Sequence, residues 1–150
     1  MSEVAAIDDA KEILQLQKLA YQSEAAIYDD YSIPPLIQSL EDMVSDLQKQ
    51  TVLKVMMDGK IVGSVRGYIR DGTGYVGRLI VHPDFQNRGI GTRLMKAIEE
   101  HLSQAKRYEL FTGHKSERNI HLYKKLGYRP FRTESINDRL VLVYMEKLVV

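Results

Sequence analysis

Two Asp-Gly pairs, Asp58-Gly59 and Asp71-Gly72, do most to restrict the fold of this 150-residue chain. Each lies between stretches rich in β-branched and apolar residues: Val52 to Met57, Ile61 to Ile69, and Tyr75 to Val81. Asp-Gly readily takes the left-handed conformations of a tight hairpin turn. Three strands joined by two such turns form an antiparallel meander. A doubly wound sheet needs a helix after each strand, so this meander excludes one.

The flanks are mixed. Met1 to Ile7 reads as a short edge strand. Asp8 and Asp9 suit a helix start, and Ile13, Leu16 and Ala20 predict a helix to about Ala26. Ile33-Pro34-Pro35 interrupts the chain, and Pro35 fits a first helical turn. The stripe Leu36, Ile37, Leu40, Met43, Val44 and Leu47 predicts a second helix to near Lys49. After the meander, Ile90, Leu94, Ala97, Ile98 and Leu102 predict a third helix. A strand over Tyr108 to Thr112 follows, then a helix over Asn119 to Leu126 that Gly127 stops. Tyr128 to Thr133 and Leu140 to Lys147 read as strands. Both faces of the last are apolar, so it is expected to be central and covered on both sides. The order ααβββαβαββ, with a leading strand, gives a mixed α/β sandwich in one domain over 1–150.

Composition narrows the function. Net charge is +1 and the basic residues are dispersed, which argues against a nucleic-acid partner. There is no cysteine, so disulfides, thiol nucleophiles and thiolate zinc sites are excluded. That suits a reducing cytoplasm, the expected location. No signal peptide and no membrane-length apolar run is read, so no membrane partner is expected. The four histidines show no close ligand spacing, and no metal is expected.

Between Leu79-Ile80-Val81 and the third helix lies Gln86-Asn87-Arg88-Gly89-Ile90-Gly91. Strand, glycine turn and helix start form an anion cradle, because first-turn N–H groups point outward and the helix dipole favours negative charge. Alone, such a short match also fits a plain helix start. Further on stands Asn119-Ile120-His121-Leu122-Tyr123-Lys124-Lys125-Leu126-Gly127-Tyr128. Together the two segments resemble the GNAT superfamily of acyl-CoA-dependent N-acyltransferases. The first matches its Q/R-x-x-G-x-G/A motif. The second matches its Asn…Tyr-x-Lys-x-Gly-Phe/Tyr motif, with a shorter interval between Asn119 and Tyr123.

The resemblance implies an α+β fold with a mostly antiparallel central sheet and helices on both faces. It implies acetyl-CoA as cosubstrate. Leu79, Ile80 and Val81 would lie on a strand that splays from its neighbour to admit the pantetheine arm. A backbone N–H near Ile80 would face the thioester carbonyl. The amides of Gln86, Asn87, Arg88, Gly89, Ile90, Gly91 and Thr92 would hold the pyrophosphate, Gly89 and Gly91 allowing close approach. Arg88 or Arg93 would either add charge or form a solvated helix face. Tyr123 would act as general acid to the leaving thiolate, or fill the core. Asn119 would orient pantetheine or substrate, or cap its helix.

His82, Glu24, Glu109 and His114 are candidate bases, with a water chain as the alternative. His101 and His121 read as surface helix residues. Tyr21, Glu24, Tyr28, Tyr31, Ile33, Pro34 and Pro35 would either wall the acceptor site or pack helices together. If they wall it, Glu24, Asp29 and Asp30 would favour a cationic amine. The implied function is direct transfer of an acetyl group to a primary amine of a small molecule. The alternatives are a protein or peptide acceptor and a non-catalytic CoA-binding module. A homodimer is a further expectation of the resemblance.

Overall fold

The computed structural model describes residues 2–149. Strands β1 (Ser2–Val4), β2 (Thr51–Met57), β3 (Lys60–Arg70), β4 (Thr73–Val81), β5 (Arg107–Gly113), β6 (Arg129–Ser135) and β7 (Val141–Leu148) form one sheet. Their spatial order is β1-β2-β3-β4-β5-β7-β6. The two Asp-Gly turns join β2 to β3 and β3 to β4, as the meander requires. Every pairing is antiparallel except that of β4 with β5.

That exception opens the sheet. β4 and β5 pair only from Thr73↔Arg107 to Tyr75↔Glu109. Beyond Tyr75 they part, β4 running on to Val81 and β5 to Gly113. A bulge in β4 drives the departure: Ser64 faces Ile80 while Arg66 faces Gly77, so Arg78 and Leu79 together oppose Val65. Arg78 sits there with a φ of 48°. A bulge of this kind bends its strand and raises the local twist.

Helices α1 (Ala10–Ala20), α2 (Gln22–Tyr28), α3 (Pro34–Ile37) and α4 (Leu40–Lys49) precede the meander, and α5 (Ile90–His101) and α6 (Glu117–Lys125) follow it. One core joins α1 and α4 to the sheet through Ile13, Met43, Val52, Ile61 and Ile80. The other joins α5 and α6 to it through Leu53, Val65, Leu94, Ile98 and Tyr123. Side chains alternate faces along a strand, so β4 serves both: Ile80 points to the first layer, Leu79 and Val81 to the second. No helix among the described residues is long and apolar enough to cross a membrane.

Three expectations are corrected. The first helix does not end at Ala26. It turns at Tyr21, and α2 carries on to Tyr28, where Asp29 takes the left-handed conformation and stops it. The second helix is two helices, because Gln38 is extended and the Ser39 side chain accepts the Asp42 N–H, starting a new helix. Strand β7 lies between β5 and β6, but only Met145 in it is fully buried. The apolar residues of one face form an exposed aromatic strip, where Tyr144 packs against Phe111 and Phe131 at 5.4 Å and 6.4 Å. Arg132 covers the Tyr144 ring at 3.6 Å, the role a helix would otherwise fill.

The break at Gln38 has a polar cause. Arg66, on β3, is 4% exposed. Its guanidinium donates to Asp46 and, at 2.8 Å, to Gln17 Oε1. Gln17 Nε2 donates to Gln38 Oε1 and to the Pro35 carbonyl, both at 2.9 Å. Gln38 Nε2 closes the circuit on Asp46 at 2.6 Å. Asp46→Ala is expected to cost about 3 kcal/mol, because it leaves a buried guanidinium without its counter-charge. Urea denaturation measures the loss, and an unchanged midpoint would mean that water replaces the carboxylate.

Candidate active site

The gap between β4 and β5 is lined by unpaired backbone. The His82 N–H donates to the Val62 carbonyl at 2.8 Å, and Ser64 stands opposite Ile80. Backbone groups alternate sides in an antiparallel ladder, so Ile80 is committed to β3 and Val81 turns its N–H toward the gap. The free donor expected near Ile80 is therefore that of Val81.

After Val81 the chain makes a short 3-10 turn over Pro83–Phe85 and then the glycine loop. Asn87 and Gly89 both have positive φ, at 64° and 78°. The N–H groups of Asn87, Arg88 and Gly89 meet no acceptor among the described residues. Those of Ile90, Gly91 and Thr92 are the free first-turn donors of α5, whose first backbone bond at this end runs from Arg93 to Gly89. Such a run of donors curled around alternating conformations is an anion nest.

The side chains of the loop do other work. Ile90 is a core residue. The side-chain oxygens of Gln86 and Asn87 accept hydrogen bonds from Arg118 of α6, which ties loop to helix. Arg88 lies over the Phe85 ring at 4.9 Å. The two glycines differ. A Cβ on Gly89 would meet nothing within 4 Å, whereas one on Gly91 would rest 3.4 Å from Leu122 Cδ2. Gly91 thus faces the packed interior between α5 and α6, and its expected part in close phosphate approach reduces to its N–H.

On α6, Asn119 is not a cap, because the helix starts at Glu117. Its Nδ2 donates to Glu24 Oε1 at 2.7 Å. Ser116 Oγ donates to the other Glu24 oxygen at 2.8 Å. The serine's one proton is thereby used, so the Tyr28 hydroxyl is the donor in its 2.7 Å contact with Ser116. Tyr28 also accepts the Lys115 N–H at 3.0 Å. A Cβ on Gly113 would fall on the Tyr28 hydroxyl, so β5 needs glycine there. Glu24, read as a solvated or acceptor-facing residue, instead anchors α2 to α6.

Tyr123 lies one turn beyond Asn119, on the same face of α6. Its ring is buried and packs on Tyr128 at 6.1 Å. Its hydroxyl makes no hydrogen bond to a described residue, and no sealed side-chain oxygen or nitrogen among those residues lacks a partner. The hydroxyl therefore reaches solvent, and the same reasoning opens that of Tyr21. Burial, with Tyr21 and Glu24 as neighbours, pushes the Tyr123 phenol above its ordinary value.

Other candidates fall away. His82 Nδ1 accepts the Asp84 N–H at 3.1 Å and holds the 3-10 turn. Glu109 is paired with Arg107 at 3.0 Å. His114 Nδ1 accepts the Val141 N–H at 3.0 Å. Asp30 takes both Ser32 donors, which hold its carboxyl below the usual range. Asp29 is exposed, and its carbonyl receives Arg139. Tyr31 stands 56% exposed, outside the hydrogen-bonded cluster. Of the three acids expected to attract a cationic amine, only Glu24 belongs to that cluster. Residues missed from the sequence are Gln17, Gln38, Arg66, Arg78, Ser116 and Arg118. Arg66 alone left a visible signal, a charge inside the apolar strand Ile61 to Gly67.

Known proteins resemble the chain in sequence and in fold. Residues 10–128 match the model of the Acetyltransferase (GNAT) family. YqkA of Bacillus subtilis is 27% identical over 89% of this chain, which spans only 38% of that protein's length. The uncharacterized N-acetyltransferase YjcF of the same organism is 27% identical over 86% of this chain and 89% of its own. The PaiA N-acetyltransferase of Thermoplasma acidophilum, solved in complex with coenzyme A, superposes with a TM-score of 0.81. That match covers 99% of both chains at 16% identity and bears on fold alone.

Proposed function

The chain belongs to the GNAT acetyltransferase family, and we propose that it moves the acetyl group of acetyl-CoA directly to a primary amine of a small molecule. One observation carries this reading. The open edge of β4 runs from its bulge to Val81 and on into a nest of free N–H groups, with the Tyr123 phenol unengaged nearby. Acetyl-CoA, when bound, supplies the activated thioester.

The N–H groups from Asn87 to Thr92 bind the pyrophosphate, and the open edge of β4 pairs with the pantetheine amides. The Val81 N–H donates to the thioester carbonyl oxygen as negative charge develops on it. As the C–S bond breaks, Tyr123 gives its proton to the departing sulfur, and the phenolate recovers one through solvent from the nitrogen that has formed the new C–N bond. No cysteine is present to carry the acyl group, in keeping with direct attack by the amine. The helical cover supports a small acceptor: α1 and α4 close over Ile80, with Tyr21 packed beside them.

CoA release measured with acetyl-CoA and a panel of amines tests the proposal. Release that depends on a small amine supports it. Release with peptides alone identifies a protein acetyltransferase, and binding without turnover identifies a CoA-binding module. The pH profile of kcat should rise as the acceptor amine loses its proton. It should show no falling limb up to pH ~10, because a phenol pushed above its ordinary value of ~10 stays protonated through that range. A falling limb near neutrality would assign the acid role to another group.

A further inference from the structure

The bulge in β4 is occupied by an arginine in a conformation that glycine adopts without strain. Arg78 has a φ of 48°, a left-handed conformation that is strained for a residue with a Cβ. Gly is the usual occupant of a left-handed bulge position. Strain that glycine would relieve points to a use for the side chain.

That side chain is held but not neutralised. Arg78 Nη1 donates to Gln38 Oε1 at 3.0 Å. Gln38 cannot turn its amide over, because its Nε2 is held by Asp46 and its Oε1 also accepts from Gln17. Among the described residues Arg78 forms no salt bridge, and the acid nearest in this network, Asp46, is paired with Arg66. Burial, and after it the charge of Arg78, pull the Arg66 guanidinium below its ordinary value. Arg78 itself reaches no carboxylate among the described residues: Gln38 stands between, its Nε2 donating to Asp46 at 2.6 Å and to Asp42 at 3.4 Å. A guanidinium carries five N–H donors. Those that Arg78 does not spend on Gln38 reach solvent, since no sealed donor lacks a partner among the described residues.

Its place is toward the closed end of the gap, three residues past Tyr75, the last residue of β4 that pairs with β5. Arg78 precedes Val81 by three residues, about 10 Å along the strand. It lies on the α1–α4 side of the sheet with Gln38, the side away from α5 and its glycine loop. Tyr21 has Arg78 and Glu24 as charged neighbours, and Tyr123 has Tyr21 and Glu24. Arg78 and Glu24 thus both act on the Tyr21 phenol, and Tyr21 in turn on that of Tyr123.

We propose that Arg78 binds a carboxylate on the acceptor, so that this enzyme acetylates amino acids or closely similar amino carboxylates in preference to amines without an anionic group. This rests on the acetyl-transfer reading above and names its substrate class. The planar fork of arginine matches a carboxylate with two parallel hydrogen bonds.

The test compares kcat/KM across matched sets: amino acids, their amides, the corresponding decarboxylated amines, and aminoalkylphosphonates. ω-Amino acids of increasing length read the distance between the two groups. The wild type should prefer the carboxylates over the neutral partners by roughly 100-fold, the scale of a bidentate charged contact. Phosphonates should fall between, and equal use of them would widen the class to anionic amines and overturn the carboxylate assignment. Arg78→Gly removes the guanidinium and relieves the strained φ, so folding is not at risk. It should shrink the preference to within about threefold, chiefly through KM, while Arg78→Lys keeps part of it. A wild type that uses neutral amines equally well, or an Arg78→Gly variant that keeps the preference, overturns the proposal and leaves acetyl transfer intact. No CoA release with any small amine overturns both.

Discussion

Tyr123→Phe is expected to lower kcat by about 10²- to 10³-fold, the usual range for losing a general acid. The acetyl-CoA dissociation constant should stay within about twofold, because the proposed cofactor contacts are backbone N–H groups on β4 and the glycine loop. Folding should also survive. The ring is the part of Tyr123 that packs, against Tyr128 and the α5 layer, and phenylalanine keeps it. The hydroxyl has no protein partner among the described residues, so its removal strands no donor or acceptor. Steady-state kinetics with a thermal melt separates the two effects. An unchanged kcat would take Tyr123 out of the mechanism, and a large drop in Tm would assign it to the core.

The second large effect is expected at Gly89. Gly89→Val should raise the dissociation constant for CoA by at least about 100-fold, measured by calorimetry, while the protein stays folded. Two facts set the expectation. The φ of 78° is one that a β-branched residue rarely takes, so the loop will distort. A Cβ there meets no protein atom within 4 Å, so the space above Gly89 is free for a ligand rather than needed for packing. The loss of stability should be only the backbone strain, about 1–2 kcal/mol. Gly91→Ala is the internal control. Its Cβ would sit at an ordinary contact distance from Leu122, and its φ is not in the left-handed region. That variant should bind CoA nearly as well as the wild type. Equal losses at both positions would mean that the motif acts through helix packing.

Much of this was legible in the sequence for local reasons. The Asp-Gly turns and alternating strands predict the meander because turn chemistry and a period of two act over a few residues. The stripe of Ile90, Leu94 and Ile98 predicts α5 in the same way. The break at Gln38 was not legible. Its apolar stripe continues across the break, and the residue that interrupts it is held by Gln17, 21 positions earlier. Strand β7 shows the limit of composition: two apolar faces foretold a covered strand, and an aromatic strip under arginines satisfied one of them instead.

By itself, then, the sequence determined the meander, the α5 stripe, the glycine loop and the family, because each is written in neighbouring residues and fixed spacings. The tertiary structure decided which polar groups meet. Glu24 and Asn119 are 95 positions apart, and Gln38 and Arg78 are 40. It also decided that Val81, not Ile80, turns its N–H to the gap, since a shift of one residue in strand register reverses every side. Register and long-range polar pairing are settled by how whole layers pack, and no local pattern records them.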